Sequence, residues 1–188
     1  MYSWRDELDF RLRHLAIPVP PGSIYFPIAR DLEGMACSYL SDGDHFLSSG
    51  DPVNALASWA YALGWIDAGA SLGLFSTEVQ DAGWIFSAIP SSTGDAAHLQ
   101  EKTARYQSLL FSAITSVVPA PEPETDMYPA SERFIMASVV SREFGRFFCT
   151  MGRLHNALGS YSYGHAWLDT GVRAGLFRVT GRREIFSV

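Results

Sequence analysis

An internal repeat constrains this chain more than any other feature. Residues 54–75 read NALASWAYALGWIDAGASLGLF, and residues 156–177 read NALGSYSYGHAWLDTGVRAGLF. Aligned without a gap, the two stretches are identical at 11 of 22 positions. The identities include Asn54/Asn156, Tyr61/Tyr163, Trp65/Trp167 and Asp67/Asp169, then the closing Gly-Leu-Phe. Two Trp-x-Asp-x-Gly cores in one register imply one supersecondary unit built twice. Upstream the match continues with a shift of one residue: Met35-Ala36 pairs with Met136-Ala137, and Phe46 with Phe147. Farther back, Phe26-Pro27 pairs with Tyr128-Pro129. Each copy also opens with an apolar stretch that runs into prolines, Leu8 to Ile17 and Leu109 to Val118. The expected organisation is a first helical repeat over 1–78, a connecting segment over 79–102 and a second, divergent repeat over 103–188.

Periodicity and punctuation give the elements. Leu8, Leu12 and Leu15 make one face of a short first helix, which the following prolines end. Ile28, Leu32, Met35, Tyr39 and Phe46 mark the second helix, with Phe134, Ala137, Phe144, Phe147 and Met151 in the other copy. Pro27 and Pro129 stand where a helix starts, and there a missing amide costs nothing. Asp51-Pro52 reads as N-cap and first residue of the third helix, and Gly152 marks the matching turn. Gly73 and Gly175 read as helix-stopping glycines, each with a Leu-Phe that folds back on the last turn. Short links make antiparallel hairpins. Residues 95–117 read as one helix, 79–89 as a short helix or docked strap around Trp84, Ile85 and Phe86, and 90–94 as a turn. Ala120 to Asp126 reads as an exposed loop. The fold class is all-α, a helical bundle of two tandem repeats, each a short helix plus an antiparallel helical hairpin.

These motifs resemble an archaeal family of unknown function, DUF357. The resemblance rests on Ala36-x-x-Tyr39-x-x-Asp42-x-x-x-Phe46, Gly50-Asp51, Asn54-Ala55, Tyr61-Ala62-x-Gly64-Trp65-x-Asp67-Ala68-Gly69 and Gly73-Leu74. The first copy fits over residues 8–75. The second departs from it: it lacks Gly-Asp at the turn, carries Phe144-Gly145 where polar residues stand in the first, and has Ala166 for Gly64. The resemblance implies an α-helical fold and brings no catalytic residues with it. The better match of the first copy points to it as the place for any function.

Composition limits the function classes. Hydrophobic residues are 47% and charged residues 18%, a globular balance with enough aromatic side chains for a sizeable core. A formal net charge of -6 argues against a phosphate-binding nucleic-acid protein, with only the arginines near each end locally basic. Two cysteines, Cys37 and Cys149, suggest neither a disulfide framework nor zinc. The charged first fifteen residues do not read as a signal peptide, and no apolar run reaches membrane-span length. The expectation is a cytoplasmic protein with no membrane association.

Asp67 and Asp169 are the polar residues of most interest, since each interrupts an apolar helix. A carboxylate there serves as a ligand or base, or accepts hydrogen bonds from another helix. Asn54, Tyr61 and Trp65 share one helical face, as do Asn156, Tyr163 and Trp167. Two such faces line a shared pocket or build the core. Asp42-x-x-His45 and His165-x-x-x-Asp169 have metal-ligand spacing, but neither pair recurs in the other copy, where Glu143, Arg146 and Leu63 stand, so no metal is expected. There is no nucleophile elbow and no glycine-rich phosphate loop. No Arg stands four to six residues before a His, as in small helical ribonuclease toxins. The leading expectation is a non-enzymatic helical scaffold or protein-interaction module without cofactors, acting through a protein partner or self-association. The alternative is a small-ligand or metal-binding protein using the Asn/Tyr/Trp/Asp face. A weaker third option is RNA association through the terminal arginines.

Overall fold

The computed structural model describes residues 4–78 and 96–187. The readings for residues 79–89 and 90–94 lie outside these. Among the described residues six helices carry the fold: α1 Trp4–Arg13, α2 Tyr25–Ser48, α3 Pro52–Ser71, α4 Ala96–Thr115, α5 Tyr128–Thr150 and α6 Leu154–Arg173. The all-α class is therefore correct, and α4 runs through the expected 102/103 boundary. Two short strands, β1 Val117–Pro119 and β2 Phe177–Val179, pair antiparallel, and a 3-10 turn spans Arg183–Ile185. In the first copy, a single antiparallel bridge between Ala16 and Ser76 takes the place of that ladder. Each unit is thus closed by pairing the chain after its first helix with the chain after its third.

The repeated helices lie at the centre. Fifteen of the twenty residues of α3 are buried, and the same holds for α6. A helix apolar on all sides needs neighbours all round. α3 packs against α2, α6 and α1, while α6 packs against α5, α3 and α4. The ends of these helices are specified locally. The Asp51 carboxylate caps α3 by accepting from the Asn54 amide at 3.0 Å, and Pro52 follows it. At the other end, Gly73 and Gly175 adopt φ of +71° and +77°, where a Cβ would be strained. The chain then turns back, and the Leu74 and Leu176 amides reach the Gly69 and Gly171 carbonyls at 3.0 and 2.8 Å. The Phe75 and Phe177 rings fill the space a Cβ on Gly69 or Gly171 would take. The Gly-x-x-x-Gly-Leu-Phe end of the motif is therefore a single folded-back cap.

The one-residue shift expected in the second helix is corrected. Ala29, Leu32, Ala36 and Gly43 are buried in α2, and Ser131, Phe134, Ser138 and Gly145 are buried in α5. These sets keep the 102-residue offset that relates Asn54 to Asn156. Trp59 lies over Gly43 and Tyr161 over Gly145, at that same offset. The counterpart of Phe46 is thus the buried Phe148, while Phe147 is 56% exposed. Burial of small residues under a large ring fixes the register, and the look-alike Met and Phe pairs do not. The counterparts of Asp42 and His45 are then Phe144 and Phe147. The first helices follow the same offset, with Leu8 and Leu110 both fully buried.

Candidate functional site

α3 and α6 meet at equivalent positions. A Cβ on Gly64 would stand 2.6 Å from the Ala166 Cβ and 2.6 Å from the Tyr163 carbonyl oxygen. Glycine at this point lets the two backbones approach closely. On either side of the crossing, the motif residues reach across. The Tyr61 hydroxyl donates to Asp169 Oδ2, and the Tyr163 hydroxyl donates to Asp67 Oδ2 at 2.8 Å. Each tyrosine binds the aspartate of the other copy. Such reciprocity is the mark of an isologous interface, here made within one chain.

The two locks have different surroundings. Asp67 also accepts from Arg11 Nη1 at 2.5 Å, and Arg11 Nε donates to Glu7 Oε1 at 2.6 Å. Glu7 and Arg11 side chains are 0% and 2% exposed, so this is an ion cluster buried under α1. Burial raises the Asp67 carboxyl above its usual range, and the Arg11 guanidinium pulls against that rise. Burial also raises the Tyr163 phenol, with Asp67 adding to the effect, so Tyr163 stays a donor. At the 102-residue offset, Ala113 takes the place of Arg11 and Leu109 that of Glu7. Asp169 has no such cation from α4. It is fully buried and accepts the Ser187 amide at 3.0 Å in addition to Tyr61. Desolvation pushes Asp169 up to about 7, against the Ser187 hydrogen bonds.

His165 stands where the first copy has Leu63. Its Nδ1 is 3.7 Å from Asp169 Oδ2, and its ring stacks on Tyr61 and on Phe186. Burial lowers the imidazole to about 4, so it is neutral near pH 7. Its Nε2 is buried with no hydrogen-bond partner among the described residues.

The Tyr and Asp singled out in each copy come together, and they do so across the copies. Trp65 lies edge-on to Tyr61 and beneath the Arg173 guanidinium, and Trp167 packs edge-on to Phe134 and Tyr163. The two asparagines are placed elsewhere. Asn54 Nδ2 donates to Asp51 in the cap of α3, and Asn156 is buried in the first turn of α6. Asp42 and His45 lie on the exposed side of α2. Among the described residues, no three His, Cys, Asp or Glu side chains converge as a metal site. Sequence reading missed Glu7, Arg11 and Ser187. An acidic and a basic residue spaced i,i+4 inside an apolar face was the one available signal for the first two.

The family model of DUF357, described as a protein of unknown function, matches residues 4–75 and 105–177. The chain belongs to the DUF357 family. The first matched segment spans α1 to α3 and the second runs from within α4 through α6, consistent with two copies in tandem. Comparison of this DUF357 chain with curated proteins and with solved structures returned no match. Among its described residues, no helix is long and apolar enough to cross a membrane.

Proposed function

We propose that this chain is a non-enzymatic helical interaction module that pairs with a second copy of itself through the outer face of α5. The observation that carries this reading is a row of exposed apolar side chains. Met136, Val140, Phe147 and Met151 are 60%, 43%, 56% and 61% exposed. Their spacing puts them on one helical face, opposite the buried one. At the 102-residue offset, α2 and its C-cap carry Gly34, Ser38, His45 and Ser49, all exposed. The same position in the fold is polar in one copy and apolar in the other, so packing inside the chain does not require the apolar set. The exposed Glu143 lies between the two halves of the row, and exposed apolar surface on both sides of it marks a contact site.

The row is also self-complementary. It is symmetric about residues 143 and 144, so two antiparallel α5 helices would set Met136 against Met151 of the second copy and Val140 against its Phe147. An isologous contact needs this property. The non-enzymatic part of the reading is supported by the Tyr–Asp pairs, whose polar atoms are engaged with each other.

The test is the solution mass of the full chain, by light scattering and sedimentation at high micromolar concentration. The reading expects about twice the chain mass of 20.7 kDa. Val140→Ser with Phe147→His, which installs the residues of α2, returns the protein to the monomer mass with unchanged helicity. A monomeric parent chain, or a dimer indifferent to the double substitution, overturns the reading.

A further inference from the structure

The 102-residue offset exposes one place where the duplicated packing is filled in one half and open in the other. In the filled half, the Trp4 indole lies on Gly159, and a Cβ there would come within 2.0 Å of its ring atoms. The counterparts of Trp4 and Gly159 are Tyr106 and Ala57. The indole is replaced by a phenol, and the glycine by a residue whose Cβ occupies the indole's seat. What remains is a cleft of about 180 Å³. It opens among Tyr39, Tyr61, Tyr106, Ser162 and His165, with Ser187 at its edge. Its residues come from α2, α3, α4, α6 and the C-terminal segment, and none comes from α5.

Two observations specify an occupant. Walls of three tyrosines and a stacked histidine suit a flat aromatic ring, and the matching space in the other half holds an indole. His165 lines the cleft, and its buried Nε2 has no partner among the described residues. An unpaired buried polar atom of this kind is costly, and a ligand that enters far enough to uncover it and pair with it regains that energy. Nδ1 lies 3.7 Å from Asp169 Oδ2, so we assign the ring proton to Nδ1 and leave Nε2 as the acceptor. Among the described residues that line the cleft there is no Arg or Lys to attract an anion.

We propose that this cleft binds a small, uncharged aromatic ring bearing an N–H or O–H donor, seated between the tyrosines and donating to His165 Nε2. The site is a place for binding, with no reaction attached to it. It is independent of the α5 contact, and either can fail without the other.

The experiment is titration of the isotope-labelled full chain with indole as the probe, followed by NMR of the His165 imidazole and the Ser187 amide. Saturable shifts at both groups are expected. His165→Leu, which installs the residue of the first copy, weakens binding about tenfold, the worth of one hydrogen bond. Ala57→Gly with Tyr106→Trp rebuilds the plug of the other half and abolishes binding while the helical fold is kept. Indole-3-acetate binds more weakly than indole. The proposal is overturned if the parent chain shows no saturable shift, if binding survives both variants, or if the anion binds as well as indole does.

Discussion

The Tyr61 phenol donates a hydrogen bond to the Asp169 carboxyl, 108 positions along the chain. Its mirror relationship joins Tyr163 to Asp67. The Tyr and Asp that recur in both copies are therefore bonded to each other across the copies.

Tyr61→Phe and Tyr163→Phe should each lower stability by about 1–3 kcal/mol, because each leaves a buried carboxyl short of a donor. The loss should be larger for Tyr61→Phe at pH 8. Asp169 is fully buried and has no paired arginine, whereas Asp67 keeps Arg11. Urea denaturation of the two variants at one pH checks the order.

Asp169 and His165 should give opposite pH dependences. The Asp169 carboxyl rises from 3.8 to about 7 on folding, so its contribution is full at low pH and is lost as pH rises through that window. The His165 imidazole falls from 6.5 to about 4, so stability is lost as pH falls through that window. Inside its window each group changes stability by up to about 1.4 kcal/mol per pH unit. In the parent chain the two slopes largely cancel. Relative to the parent, Asp169→Asn should gain stability as pH rises from about 4 to about 7. Across about 4 to 6.5, His165→Leu should lose it. Melting temperatures of the three proteins across this range decide the matter, and slopes of equal sign would contradict it.

Glycine substitutions should separate close approach from mere flexibility. Gly64→Ala drives a Cβ into the Ala166 Cβ and the Tyr163 carbonyl, and Gly171→Ala drives one to 2.3 Å from the Phe177 ring. Each should cost about 1–3 kcal/mol. Gly34 lies exposed within α2 with nothing within 4 Å of a Cβ, so Gly34→Ala should instead stabilise by up to about 1 kcal/mol. Thermal unfolding of the three variants reads the difference in sign.

Removing Arg11 should be among the most damaging single changes outside α3 and α6. Arg11→Met takes the guanidinium away from the fully buried Glu7 and from Asp67. Breaking a buried ion cluster from one side costs about 3–5 kcal/mol. Glu7→Leu combined with Arg11→Ala, the residues at these positions in α4, should cost less than Arg11→Met alone. Denaturation midpoints of the two proteins provide the check.

Much of this fold was legible because it is written in local signals. The cap at Asp51-Pro52, the stops at Gly73 and Gly175, and the length of α4 all follow from neighbouring residues. The central place of α3 and α6 follows from apolar residues on every side. The paired strands were missed because a ladder of three residues has no period to read. The register of α5 was misread because Met136 and Phe147 resemble Met35 and Phe46, whereas burial selects Ala137 and Phe148. The partners of Asp67 and Asp169 come from other helices, and spacing within one helix carries no trace of them. The sequence match favoured the first copy as the place for function, yet the apolar row on α5 and the cleft beside His165 both draw on positions where the second copy departs from it.

The central claim is that α3 and α6 form one shared core, locked by the reciprocal Tyr–Asp pairs, so the two units do not unfold separately. The most direct test is urea unfolding of the full chain, followed in parallel by far-ultraviolet circular dichroism and by tryptophan fluorescence. Trp65 of the first unit and Trp167 of the second both lie in this core. The account predicts one coincident transition by both probes, shifted as a whole to lower urea by Tyr163→Phe. Two separate transitions, or a shift confined to one of them, would contradict it.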